Sequence, residues 1–441
     1  MFSALSREEI IRKYQELEKE NEKLRNEKEA LEKELRKYKN PNTPPSAHPH
    51  LKSNSAGVQA KLGARRGAPL GHPGITRPKR VADEIRHITS GECPSCHSKD
   101  IEVLRQEHQQ QEELPPEIEL KVVDVFREVC KCNQCHSQFT SKDGVTPLQG
   151  KFGINLMVLV IFLKFIVRGV LRKTACFLDA SFDLKLAPAT VQAIIERASA
   201  AGEKEYSQLK HKIRAASLLY IDETSFSVLG KNWWVWVFRS DTDLLLAVRN
   251  SRGNNVLEEI LGKEYAGIVV CDCWRAYDFL SNAVLQRCWA HLLRKSKELE
   301  SVPGRHFHKK LSGLFDEMIK FNRKERNEKQ RMKKYTHLTA ELQKIVSYYA
   351  QYGECEGVVK YVDFHLGSWF TCVKFAGVQP TNNYAEQAIR ETVLVRKIIG
   401  AFRSEKGAKT YETLASLIAT WQIQRLDLKK ELQRMLATNL C

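Results

Sequence analysis

The chain has 441 residues, 42% of them hydrophobic, with only 14 prolines and 23 glycines. That length exceeds one ordinary domain, and the composition excludes a fibrous or disordered chain. A formal net charge of +17 points to a polyanionic partner, because each phosphate contact releases counterions; a merely basic surface is the plainer alternative.

Residues 1–40 are dense in Glu, Lys and Leu. Ile10, Leu17, Leu24, Leu31 and Tyr38 recur every seven residues as d positions, with Tyr14, Asn21, Lys28 and Leu35 at a. This predicts a short coiled coil, and Asn21 at an a position favours a parallel dimer. The N-terminus is thus a charged helix rather than a secretory signal. Residues 41–82 lose all apolar period and read as a basic flexible linker, with cationic runs at Lys61 to Arg66 and Arg77 to Arg80.

Five of the 12 cysteines fall between Cys93 and Cys135. The pairs Cys93/Cys96 and Cys132/Cys135 are two CxxC knuckles, the pattern of a closed four-thiolate zinc site. They define a zinc-binding domain over 83–146 with one structural Zn2+. The run Ile118 to Val129 reads as a strand returning the second knuckle to the first, and Cys130, His97 and His136 are substitute ligands. The seven remaining cysteines read as reduced core residues, which implies a reducing compartment.

Residues 147–205 are helical. The apolar stretch Phe152 to Val170 is interrupted or flanked by Lys151, Lys164 and Arg168, and its uncharged part is too short to span a bilayer. No membrane partner is expected. A helix over Arg172 to Ala180 and another from Pro188 resemble a helix-turn-helix with Thr190, Gln192 and Arg197 on the last helix; a plain packing module fits equally well.

From 206 to 290 the pattern becomes strand-rich. Ser217 to Asp222, Trp233 to Arg239 and Leu244 to Arg249 read as strands joined by short hairpins. A helix over Asn254 to Leu261, a strand over Gly267 to Cys271, a helix over Trp274 to Asn282 and a strand over Val284 to Trp289 follow. Three meandering strands, then helix, strand, helix, strand, is the order of a ribonuclease H-like mixed sheet. Residues 291–375 form a helical insertion. Residues 376–441 return to the core with helices over Asn382 to Lys397 and Lys409 to Leu426. The fold class is multidomain α/β.

Phosphodiester chemistry uses two divalent cations held by carboxylate oxygens. Asp222 and Asp272 each close an apolar strand, and the proposed fold sets these strands side by side; Glu386 comes from the helix after the insertion. Strand alternation turns the neighbouring Glu223 to the other face, and Asp278 reads as surface. Asn382, Asn383, Glu386 and Arg390 share one helical face, where amides and a guanidinium orient the carboxylate and hold phosphate.

These residues resemble the insertion-sequence-66 family of transposases over nearly the whole chain. Ile-Asp-Glu-Thr at 221–224, Cys271-Asp272 with Trp274 to Tyr277, Cys288-Trp-Ala-His291 with Arg294, and Asn382 to Arg390 followed by Arg396-Lys397 carry the likeness. Gly71 to Gly74 in the linker and the paired knuckles occur there in the same order. Thr381 and Leu293 depart from the family's usual Asp and Arg. The resemblance implies a DDE transposase. Asp222, Asp272 and Glu386 would bind Mg2+ or Mn2+, two per site. His291, Arg294, Arg396 and Lys397 would join Asn382, Asn383 and Arg390 in holding DNA. It further implies double-stranded DNA partners (terminal inverted repeats and target), a homodimer or higher oligomer on DNA, and a prokaryotic cytoplasmic, nucleoid-associated location. The rivals are a catalytically decayed zinc-containing DNA-binding protein and a ribonuclease H-like nuclease.

Overall fold

The computed structural model describes residues 120–441, together with 17, 20–24, 26, 27, 94, 95 and 97–100. The chain divides into two compact units, Met1–Pro116 and Glu117–Cys441. In the first, the described residues between 17 and 27 are helical. Cys93 and Cys96, the linker and most of the expected coiled coil lie outside the described residues.

The second unit opens with a two-stranded hairpin, β1 (Val129–Lys131) against β2 (Gln138–Thr140). The long strand expected to begin at Ile118 is absent from the described residues 120–128. Val122, Val123 and Phe126 there are exposed, and an extended segment without a packed neighbour gains nothing from β-branched residues.

Three helices follow: α1 (Ile154–Ile161), running into a wider π turn over Phe162–Ile166, then α2 (Leu171–Phe182) and α3 (Pro188–Ala215). Pro188 stands in the first turn of α3, where its missing N–H costs nothing. Val191, Ile194, Ile195, Ala198, Tyr206, Leu209 and Ile213 of α3 are buried in the main core. These helices, the segment 147–205 of the sequence reading, share one core with the sheet.

The sheet comprises β3 (Leu218–Val228), β4 (Lys231–Arg239), β5 (Leu244–Arg249), β6 (Ile268–Cys271), β7 (Val284–Arg287) and β8 (Ala401–Phe402), with α4 (Asn254–Leu261) between β5 and β6. The order is β5-β4-β3-β6-β7, and β8 also pairs with β3. β4 is antiparallel to β3 and β5, whereas β6 and β8 run parallel to β3, and β7 parallel to β6. Two expected ranges shift. A short 3-10 turn over Arg275–Phe279 replaces the helix expected over Trp274 to Asn282, because Asp272 Oδ1 accepts from the Trp274 N–H at 2.8 Å and bends the chain there. Trp289 opens a helix rather than ending β7.

Both faces of the sheet are buried, so its strands read as nearly continuous apolar runs. Leu219 and Ile221 of β3 enter one core with α1 to α4. The alternate residues face the other way: Tyr220 joins a core with the insertion, and Phe226 and Val228 join a third cluster. The insertion contains α5 (Trp289–Lys297), α6 (Val302–Asn322), α7 (Glu328–Tyr349), α8 (Glu356–Asp363) and α9 (Thr371–Lys374). It is anchored where it leaves the sheet, because the Trp369 carbonyl accepts from Gln286 Nε2 at 3.0 Å and Trp289 Nε1 at 2.6 Å.

The chain returns through α10 (Asn383–Ile399), β8, α11 (Glu405–Ile423) and α12 (Leu428–Leu440). Helix α11 covers the outer edge of β5. Glu412 Oε2, Ser416 Oγ and Thr420 Oγ1, four residues apart on one helix face, accept from the backbone N–H groups of Val248 at 2.7 Å, Leu246 at 2.8 Å and Leu244 at 3.0 Å. Every second residue of an edge strand points its N–H outward, so one polar stripe on a helix satisfies three of them. Among the described residues no helix is long and apolar enough to cross a membrane.

Candidate active site at the ends of the central strands

Along one edge of β3, residues Leu218–Tyr220 pair with β6 and Ser227–Val228 with β8. Between these ladders lies a gap that no strand among the described residues fills, and Asp222 sits in it. The register Tyr220↔Val270 continues, two residues on, to Asp222 beside Asp272. Asp222 shares a face with Tyr220 and Phe226, whose side chains enter different apolar clusters, so its carboxylate opens at the seam between them.

Helix α10 closes the gap. Asn382 Nδ2 donates to the Ile221 carbonyl at 2.8 Å, and Arg396 Nη1 donates to the Ser225 carbonyl and, at 3.2 Å, to Thr224 Oγ1. These two side chains stand in for the missing strand. Asn382, expected to hold phosphate, is wholly buried with its amide on β3, whereas Arg396 is half-buried, with Nη1 on β3 and Nε without a partner among the described residues. Asn383, Arg390 and Lys397 of α10 and Arg294 of α5 are exposed.

The same anchoring sets Glu386 in the first turn of α10, its backbone N–H donating to the Asn382 carbonyl at 3.0 Å. The three acids sense one another. Burial, then Glu223, Asp272 and finally Glu386, push the Asp222 carboxyl up to about 8. Glu386 Oε1 and His291 Nδ1 are buried without a hydrogen-bond partner among the described residues, 3.8 Å apart.

Glu223 lies on the opposite face, as strand alternation predicts. It is buried, accepts from Tyr277 Oη at 2.6 Å and from Arg252 Nε at 2.9 Å, and burial and the nearby Asp272 hold its carboxyl above the usual range. Arg252 stacks between Trp274 and Trp234, at 4.1 and 4.7 Å from the ring centres. Arg287 is fully buried and donates to the Asp272 carbonyl at 2.6 Å and to Asp278 Oδ1 at 2.5 Å. Asp278 is exposed, as expected, yet it neutralises this arginine. Sequence reasoning missed Arg252 and Arg287, although an arginine inside the apolar run of β7 is itself a signal that a carboxylate or carbonyl waits nearby.

Of the two expected CxxC knuckles, the hairpin carrying Cys132 and Cys135 is described. The Cys132 N–H donates to the Ser137 carbonyl at 2.8 Å, and the Cys132 carbonyl accepts from the His136 N–H at 2.9 Å. Hydrogen bonds from Ser137 and Cys132 lower the Cys135 thiol to about 7.

A mixed sheet whose central strands deliver carboxylates beside a glutamate helix has the makings of a DNA-processing enzyme, and comparison with known proteins places the chain in the transposase class. A family model described as Transposase IS66 family matches residues 149–410, a span containing the sheet, the insertion and all three acids. The chain belongs to that family. It is also similar to the uncharacterized protein y4hP of Sinorhizobium fredii (strain NBRC 101917 / NGR234), 24% identical over 372 residues that cover 74% of this chain and 66% of that protein. The chain thus spans just under two thirds of that relative's length.

Proposed function

We propose that this transposase cleaves DNA at the ends of its element and joins them to target DNA, using Asp222, Asp272 and Glu386 on a ribonuclease H-like core. The observation that carries the reading is that Asp222 lies at the gap in the β3 edge, one strand away from Asp272 in register, with Asp272 and Glu386 both near enough to raise its carboxyl; the strand order β5-β4-β3-β6-β7 supports the fold. The oxygen donors, with Glu386 Oε1 unpartnered among the described residues, fit hard divalent cations, Mg2+ or Mn2+, two per site. When bound, such ions activate the attacking oxygen and stabilise the leaving one.

The chain's own residues do the positioning. Asn382 and Arg396 fix α10 to β3, and the Arg287 bond to the Asp272 carbonyl fixes the turn after β6. Arg252 neutralises Glu223 on the far face, so that charge does not compete for the cations. Exposed Asn383, Arg390, Lys397 and Arg294 are the groups available to DNA phosphates. Water would break the phosphodiester at the element end, leaving a 3′ hydroxyl, and that hydroxyl would then displace a 3′ oxygen in the target strand. Zinc binding is part of this proposal for the described pair, Cys132 and Cys135, which the hairpin turn carries. Assembly on DNA as a dimer or larger, in a prokaryotic nucleoid, completes it.

The test is cleavage of end-bearing DNA by the full chain in Mg2+. Asp222→Asn, Asp272→Asn and Glu386→Gln keep the shape but remove the charge. Each should lower cleavage by at least about a hundred-fold while leaving DNA binding intact. Near-normal cleavage by any one of them removes that residue from the mechanism.

A further inference from the structure

Cys288, His291 and Glu386 each present one metal-ligating atom, and these atoms lie within 4.8 Å of one another. Their arrangement follows from the helix ends. Cys288 is the N-cap of α5 and His291 its third residue, the two positions of a helix start whose side chains meet. Glu386 reaches them from α10, because the Asn382 N–H donates to Cys288 Sγ at 3.2 Å and the Trp289 N–H to the Pro380 carbonyl at 3.0 Å. These bonds lock the two helix starts together.

The separation of His291 Nδ1 from Glu386 Oε1, 3.8 Å, is too long for a hydrogen bond. It is close to the spacing of two ligands around one tetrahedral ion, where bonds of about 2.0–2.3 Å set neighbouring donors roughly 3.3–3.8 Å apart. Both atoms are buried with no hydrogen-bond partner among the described residues, which is costly for a polar pair unless something else satisfies them. A thiolate, an imidazole and one carboxylate form a softer donor set than the oxygens of Asp222 and Asp272. Mg2+ and Mn2+ favour oxygen; sulfur and nitrogen favour zinc and its neighbours.

We propose that Cys288, His291 and Glu386 bind a borderline-soft divalent metal ion of the zinc class, and that this ion competes with catalysis by withdrawing Glu386 from the hard-cation site. Binding releases the Cys288 thiol proton to solvent and involves no redox change. Three protein ligands leave a fourth position for water. The competition clause rests on the catalytic reading of Glu386; the binding clause does not.

The full chain, stripped of metal, is titrated with Zn2+ for stoichiometry and with Co2+ for the near-ultraviolet charge-transfer absorption of a cobalt–thiolate bond. Cys288→Ser keeps an acceptor for the Asn382 N–H, and every other cysteine is common to both proteins. The wild type should bind one more tight equivalent than Cys288→Ser or His291→Ala, with a matching difference in cobalt absorption. Melting curves confirm that the variants are folded; should one variant fail that check, the other carries the comparison. Equal stoichiometry and superimposable cobalt spectra in the wild type and the folded variants overturn the site. In Mg2+-supported cleavage, Zn2+ should inhibit the wild type at a concentration at least about tenfold below that needed for Cys288→Ser, since loss even of supporting groups costs 10–100-fold in metal affinity. Equal zinc sensitivity overturns the competition. If Glu386→Gln loses the zinc equivalent but still cleaves, the metal site stands and the catalytic assignment of Glu386 falls.

Discussion

Asn382 holds two elements at once: its side chain donates to the Ile221 carbonyl and its backbone N–H to Cys288 Sγ. Asn382→Ala leaves a buried carbonyl beside Asp222 without its donor. We expect a loss of about 1–3 kcal/mol in denaturant unfolding, with cleavage falling further than DNA binding because Glu386 loses its register. Unchanged stability and cleavage would mean that α10 holds its place without this bond. His365 gives a pH prediction. It is buried, and that burial, with Arg287 alongside and against the weaker pull of Asp278, holds its imidazole down at about 4. The unfolded chain takes up this proton near 6.5 and the folded one only near 4, so the contribution is fully present above pH 6.5 and is lost as pH falls through that window. His365→Gln should flatten the stability profile between pH 6.5 and 4 by about 1–3 kcal/mol, read from unfolding midpoints; an unaltered slope would assign the acid sensitivity elsewhere. Asp222 and Asp272 stood out in the sequence because a carboxylate adjoining an apolar run is conspicuous, although β3 continues past Asp222. The role of Asn382 was not legible. A polar helix face looks the same whether it meets phosphate or a gap in a sheet edge, and only the pairing of β6 and β8 on β3 reveals the gap.

At the scale of elements, β5 and α4 begin and end where their patterns say, because a short apolar run bounded by polar residues admits little else. Strand β3 extends to Val228, past the carboxylate that seemed to end it, since Phe226 and Val228 bury against a third cluster. The stripe Glu412, Ser416 and Thr420 had no reading from sequence, being ordinary polar residues at helical spacing until an edge strand lies beside them. Glu412 is the critical member. It is buried, accepts from the Val248 N–H, from Arg249 Nη1 and from Tyr206 Oη, each at 2.7 Å, and thereby joins α11, β5 and α3. Glu412→Ala leaves the Val248 N–H unpaired, takes one of two carboxylates from Arg249, which keeps Glu259, and opens the edge; it should cost about 2–3 kcal/mol, whereas Ser416→Ala should cost about 1 kcal/mol. Light scattering on mild heating should show self-association of Glu412→Ala before that of Ser416→Ala, because an uncovered edge templates pairing. Equal losses from the two substitutions would show that the stripe contributes only packing.

For the molecule as a whole, the proposed activity raises the question of how a chain with one proposed set of acids would act on an element that has two ends. The family match begins at residue 149, and the first compact unit, Met1–Pro116, precedes it. Within that unit Leu17 and Leu24 lie seven residues apart on helix and are 57% and 56% exposed, with Asn21 between them donating Nδ2 to the Leu17 carbonyl at 3.1 Å. We propose that these two leucines at heptad spacing form a seam that a second copy buries, with Asn21 at an a position permitting the parallel pair while weakening it. So short a coil is marginal alone. We therefore expect weak dimers in free protein and firm ones on paired DNA ends. Deleting residues 1–40 should preserve binding to a single end but impair joint cleavage of two. Asn21→Leu should strengthen self-association and relax the preference for dimers, which sedimentation resolves directly. Should the deleted chain pair and cleave two ends as well as the full one, the seam serves some other contact, and the bridging must come from the unit that carries the acids.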